Sequence, residues 1–168
     1  MDDSSDGRYP RAPELEDLAG LCRRLNEAGA RYLLIGGFAV IFHGFTRGTR
    51  DIDLLVDPSV ENIRAVKQAL SSLPDNAVAE MEDSELDRYA VVRVADEIVV
   101  DLMARACGID LAEAQRDGDI EIFELEDVPI PVAGKRLLLR MKKTLRPADA
   151  MDSDFLRQAL LEEGAKDV

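Results

Sequence analysis

The chain has 168 residues, enough for one domain with a core of its own and too few for two of ordinary size. Hydrophobic residues make up 46% and charged residues 33%, the balance of a soluble globular protein, and no apolar run approaches the ~18 residues of a membrane span. The net charge of −13 argues against non-specific nucleic-acid binding, which needs a positive surface to displace phosphate counterions.

Residues 1–11, polar and rich in Asp and Ser, read as a disordered tail ahead of a single domain over 12–168. The start is unlike a signal peptide, and Cys22 and Cys107 stand without metal-ligand spacing. Both are expected as buried, reduced thiols in a cytoplasmic protein. Pro13 opens a first helix, with Glu14, Glu16 and Asp17 at its positive end. Leu15, Leu18, Ala19, Leu21, Cys22 and Leu25 form its apolar stripe, and Gly29 ends it. A strand follows at 31–35, a short buried helix at 38–42 stopped by Gly44, and a second strand at 50–56. Pro58-Ser59 opens a helix over 60–73 that turns Ile63, Val66, Ala69 and Leu70 inward. Residues 78–87 carry no readable pattern.

Residues 89–104 predict two strands around an Asp96-Glu97 turn, and a short helix is expected near 111–116. Short strands follow at 120–123 and 128–132. The latter is expected at the periphery, because Pro129 and Pro131 cannot donate to a ladder. Gly134 precedes a cationic helix over 135–146, Pro147 restarts the chain, and a last helix runs to about 163. Helices, strand–helix–strand, a helix and an antiparallel pair predict an α+β fold: a mixed sheet with helices packed mainly on one face.

The chemistry concentrates in residues 33–56, LLIGGFAVIFHGFTRGTRDIDLLV. Asp51 and Asp53, two apart on a strand, put their carboxylates on one face while Ile52 turns into the core. Hard oxygen ligands so placed suit Mg²⁺, which takes one or two carboxylates and completes its shell with water and phosphate. Gly36-Gly37 lets backbone N–H groups approach a phosphate with no side chain in the way. His43 reads as a packing or capping residue. Asp101 interrupts the apolar run of residues 98–103, and an unpaired buried carboxylate costs several kcal/mol. It therefore needs a cation, a hydrogen-bond network or the exposed side of its strand.

The glycine pair, the spacer of residues 38–50 and Asp51-Ile52-Asp53 together resemble the signature of the nucleotidyltransferase superfamily (the DNA polymerase beta-like fold). His43-Gly44 and Arg47-Gly48-Thr49-Arg50 look like the HG…RxTxDID of its small bacterial stand-alone members, some of them toxins of toxin–antitoxin pairs. Arg146, Pro147, Asp149 and Asp152 are similar to the family's closing RPxDxxD, after a helix that carries a lysine, here Lys142 or Lys143. The resemblance covers roughly residues 30–160 and implies a nucleotidyltransferase-like fold. It implies Asp51, Asp53 and Asp101 as metal-holding, catalytic carboxylates for one or two Mg²⁺ ions. It also implies an NTP contacted by Gly36, Gly37, Arg47, Thr49, Arg50 and Lys142 or Lys143.

The implied reaction moves an NMP from the NTP to an acceptor, which could be a small molecule, a protein or RNA. An antitoxin is an implied partner if the chain is a toxin, and no membrane is implied. The rival reading is a catalytically inactive nucleotide- or partner-binding protein on the same fold, whose usual mark, a missing carboxylate, is not seen. The six cations of residues 135–146, with no acid among them, suit a triphosphate clamp in an otherwise acidic chain. The alternative is a solvated helix face.

Overall fold

The structure, a computed structural model, describes residues 10–142 and 147–166. Helix α1 (Leu15–Glu27) opens at Glu14, whose backbone N–H donates to the Asp17 carboxylate at 2.7 Å. It closes ahead of Gly29, whose φ of +71° suits glycine. Residues 1–9 of the expected tail lie outside the described residues. Arg11, at the tail's inner end, is docked: it forks Asp17 at 2.7 Å and reaches Glu97 at 3.1 Å. That guanidinium holds the Asp17 carboxyl below its usual range.

Strand β1 (Tyr32–Ile35) is buried along its whole length and passes directly into α2 (Gly36–Phe42). Strand β2 (Asp51–Val56) returns antiparallel to β1 with Ile35 opposite Asp53. Ser59 caps α3 (Val60–Leu70), which buries Ile63, Val66, Ala69 and Leu70 as expected and packs against α1. The buried Asn62 bonds both backbone groups of Arg31 and the carbonyl of Asp57, at 2.7–2.9 Å, and so ties α3 to the ends of β1 and β2.

Two 3₁₀ turns, Ala77–Glu80 and Glu85–Asp87, fill the stretch that carried no pattern. It is anchored from afar: the buried Asp96 carboxylate accepts from the N–H groups of Asp75, Ala77 and Glu97 at 2.7–2.9 Å. Long-range anchors of this kind leave no local periodicity to read. Strands β3 (Val92–Ala95) and β4 (Val99–Met103) form the expected hairpin. A tiny separate hairpin, β5 (Arg105–Ala106) with β6 (Ile109–Asp110), was not indicated by sequence. Helix α4 (Leu111–Asp117), strands β7 (Ile120–Leu125) and β8 (Val128–Ala133), and helices α5 (Lys135–Met141) and α6 (Pro147–Lys166) complete the chain.

The six strands lie in the order β3-β4-β2-β1-β8-β7, with β2 parallel to β4, β1 parallel to β8 and the other neighbours antiparallel. This is the mixed α+β sheet the sequence implied. The core centres on β1, β2 and β4, where Leu33, Leu34, Ile52, Leu54, Val100 and Leu102 are fully buried. Among the described residues no helix is long and apolar enough to cross a membrane.

Three expectations are corrected. Strand β8 is not peripheral, since it lies between β1 and β7. Pro129 and Pro131 have the same parity, so their missing donors fall on one side of the strand and leave Val128, Ile130 and Val132 to donate on the other. The ladder to β7 accordingly runs from Ile120↔Ala133 to Leu125↔Val128, whereas pairing with β1 is confined to Leu34↔Val132. Secondly, only Cys22 is buried, and burial pushes its thiol up to about 12. Cys107 is exposed in a left-handed turn at φ +49°. Thirdly, the cationic helix stops at Met141. Lys142 is its C-cap with non-helical dihedrals (φ −102°, ψ 37°), and Lys143 and Arg146 lie outside the described residues.

Candidate active site

The order of residues on β2 builds the site. Ile52, with no exposed surface, points into the core between Asp51 and Asp53, and burying such a side chain contributes roughly 1.5–3 kcal/mol. A slip of one residue would exchange the faces and drive both acids into the core, so this burial holds the carboxylates outward. On the parallel neighbour β4, Asp101 stands level with Asp53. One carboxylate oxygen from each of Asp51, Asp53 and Asp101 lies within 4.8 Å of the other two. The structure thus brings together the three acids that sequence had singled out from separate segments.

The glycines make room for this cluster. Gly36 has φ +73°, and a Cβ there would overlap the Asp53 carboxylate, with Asp53 Cβ and Cγ at 2.8 Å. At Gly37 a Cβ would stand 2.7 Å from Thr49 Oγ1 and 3.1 Å from an Arg47 guanidinium nitrogen. Side chains from the far end of the loop therefore press onto the backbone at the start of α2, as the bare face of each glycine permits. Thr49 further donates to the Asp51 carbonyl at 3.2 Å, bracing the entry to β2. His43 has the structural role expected. Its Nε2 lies 2.8 Å from the Ala133 carbonyl, and its ring meets Phe123 edge-on at 5.5 Å.

The basic residues separate into two groups. Arg47 and Lys142 converge on α6: Arg47 reaches Asp152 at 3.0 Å, while Lys142 Nζ lies 3.1 Å from Asp152 and 3.4 Å from Asp149. Phe45 stacks on Phe155 at 4.8 Å beside them, so the loop between α2 and β2 is clamped to the last helix. Arg50 is exposed and has no ion-pair partner among the described residues. The rest of α5 does not form a clamp. Arg140 is bound by Asp117 at 2.6 Å and Glu113 at 2.7 Å, Lys135 is paired with Glu163 at 3.0 Å, and Arg136 is exposed. Acids supplied by α4 and α6 neutralise most of the helix that composition alone made look available.

Lys142 is nearly inaccessible, with its side chain 8% exposed, and Asp152 is fully buried. Removing one partner of a buried pair costs about 3–5 kcal/mol, because a charge is left without compensation. Lys142→Ala is therefore expected to lower unfolding stability by about 3 kcal/mol, with Arg47 still in place on Asp152. Urea denaturation checks this, and a loss below about 1 kcal/mol would mean that Lys142 is not part of the fold's ionic core.

One cation at the site was not among the expected residues. Arg93 lies on β3 opposite Asp101; its Nε and Nη2 each stand 2.9 Å from an Asp101 oxygen, and Nη2 is 3.2 Å from Asp51. The Asp101 hydrogen bond, then its charge, holds the guanidinium more firmly protonated than usual. A cavity of about 660 Å³ lies elsewhere, at the other ends of β2 and β4, lined by Asp57, Leu86, Tyr89, Arg105, Leu111 and Gln115. At ~3.3 Å per residue, Asp57 and Ala104 place it some 10–13 Å along the strands from Asp53 and Asp101. The acids instead sit on the open sheet face, where Arg93 is 59% exposed.

No protein-family model matches the chain, and no curated protein matches it. Among solved structures, it is similar to a protein from Thermotoga maritima described as a candidate nucleotidyltransferase. The match has 18% identity and a TM-score of 0.52, covering 92% of this chain and 97% of that one. Likeness at this identity is a likeness of fold: this chain shares its mixed α+β sheet with that protein, and here three carboxylates gather on the sheet's open face.

Proposed function

We propose that the protein is a metal-dependent nucleotidyltransferase that moves a nucleoside monophosphate from an NTP to an acceptor hydroxyl. The observation that carries this reading is the convergence of Asp51, Asp53 and Asp101 within 4.8 Å, beside a glycine turn, on a fold shared with a candidate nucleotidyltransferase. Three carboxylates gathered on one face offer the hard oxygen donors Mg²⁺ requires. When bound, one or two Mg²⁺ ions would neutralise phosphate charge and lower the pKa of the attacking hydroxyl.

The chain's own groups supply position. Asp51, Asp53 and Asp101 hold the metal–triphosphate end of the substrate. Backbone N–H groups at Gly36 and Gly37 face the β- and γ-phosphates, and Arg50 and Arg47 complement their charge. Lys142 is committed to Asp149 and Asp152, which leaves Lys143, outside the described residues, as the lysine proposed to meet the phosphates. The acceptor oxygen forms a bond to the α-phosphorus, the α–β bridging bond breaks, pyrophosphate leaves, and the hydroxyl proton passes to water. Little covalent work is asked of the protein, so alignment and charge supply the rate.

The test is incubation of the purified protein with each NTP, labelled in turn at the α- and γ-phosphate, with Mg²⁺ and cell extract. Transfer of α-label but not γ-label is expected. Transfer of γ-label alone would replace this reading with phosphorylation, and no transfer from any NTP would remove it. The labelled species identifies the acceptor, and a labelled tRNA or essential protein would favour a toxin paired with an antitoxin.

A further inference from the structure

Arg93 engages the same oxygens that the candidate metal site needs. It sits across the hairpin from Asp101, bonds both of its carboxylate oxygens at 2.9 Å and touches Asp51 at 3.2 Å. Asp101 is only 6% exposed, so its charge cannot be left to solvent. A divalent ion bound among Asp51, Asp53 and Asp101 would lie within a few ångström of the guanidinium, and like charges at that distance repel strongly. The two cations therefore compete for one place. Arg93 is equipped to yield, since its side chain is 59% exposed and can turn outward from the edge strand β3 without disturbing the core.

We infer that Arg93 is a built-in stand-in cation: it holds the carboxylates together when the site has no metal, and it is exchanged for the divalent ion on loading. The inference rests on the metal-binding part of the proposed function and adds an order to it. Metal alone must displace Arg93 and binds weakly. Metal with an NTP binds more tightly, because the triphosphate offers the released guanidinium a new anionic partner on the open face. Arg93 is in these terms a positioning residue for the empty site and a competitor for its ligand.

The experiment is calorimetric titration of Mn²⁺, without nucleotide, into the wild type, Arg93→Gln, Arg93→Lys and the double variant Arg93→Gln/Asp101→Asn. Arg93→Gln is expected to bind Mn²⁺ at least tenfold more tightly than the wild type. Arg93→Lys, which keeps the charge but loses the fork, should fall between them, and the double variant should lose the gain. In EDTA, Arg93→Gln should melt below the wild type, with saturating Mn²⁺ narrowing the gap. Equal Mn²⁺ affinity in wild type and Arg93→Gln would overturn the exchange and leave the metal site standing. Absence of Mn²⁺ binding in both would overturn the metal site as well. If Arg93→Gln does not fold, the wild type still decides the matter. Its Arg93 Nε–H, protected by Asp101, must lose that protection when Mg²⁺ is added to saturation without nucleotide, and retained protection would refute the exchange.

Discussion

Asp53→Asn is expected to lower nucleotidyl transfer by about a thousandfold or more while leaving the protein folded. Asp53 stands at the centre of the cluster, level with Asp101 on β4 and two residues from Asp51 on β2. An amide in its place keeps the shape but removes one of the charges that gather the metal and the triphosphate. Lewis-acid neutralisation of phosphate charge supplies several kcal/mol to the transition state, and each 1.36 kcal/mol is a factor of ten in rate. The loss should appear in kcat with the circular dichroism spectrum unchanged. A variant that keeps more than about a tenth of wild-type activity would show that the reaction does not run through this carboxylate.

Gly36→Ala is expected to damage stability and activity together. Its φ of +73° costs an L-residue roughly 1–2 kcal/mol, and the added methyl would overlap the carboxylate of Asp53. Either Asp53 turns away from Asp51 and Asp101, or the start of α2 moves off the sheet. We expect about 3 kcal/mol of lost stability by chemical denaturation and near-complete loss of transfer. Gly20→Ala is the control. Nothing lies within 4 Å of its would-be Cβ in the middle of α1, so alanine there should stabilise by roughly 0.5–1 kcal/mol. If Gly36→Ala behaves like Gly20→Ala, the close approach of Asp53 to the glycine turn is not a feature of the folded protein.

Much of the site was legible because its signals are local. Parity along residues 51–53 puts two acids on one face whatever the rest of the chain does, and an acid inside the apolar run 98–103 is conspicuous for its cost. Arg93 was less visible, though a signal existed. Arg93 and Asp101 each lie four residues from Glu97, so a hairpin centred on Glu97 pairs them. Placing the turn on Asp96-Glu97 shifts the register by one residue, which is enough to pair Arg93 with a residue of the opposite face. Hairpin register is decided by the turn, and here the turn is shaped by Asp96 reaching back to Asp75 and Ala77.

The sequence by itself determined the strand–glycine–helix–strand frame, the alternation that turns Asp51 and Asp53 away from the core, and the α+β class. All of these follow from periodicities of two and 3.6 residues and from the few conformations open to glycine. Only the tertiary structure decided which charges are free. It spent Arg140 and Lys135 on acids from α4 and α6, sank Lys142 and Arg47 onto Asp152, and set Arg93 on Asp101. It also placed β8 inside the sheet despite two prolines. The physical reason is range. A dihedral preference acts within a few residues, whereas an ion pair is made by whichever partners the packed elements bring within about 4 Å, here as far apart in the chain as Arg47 and Asp152.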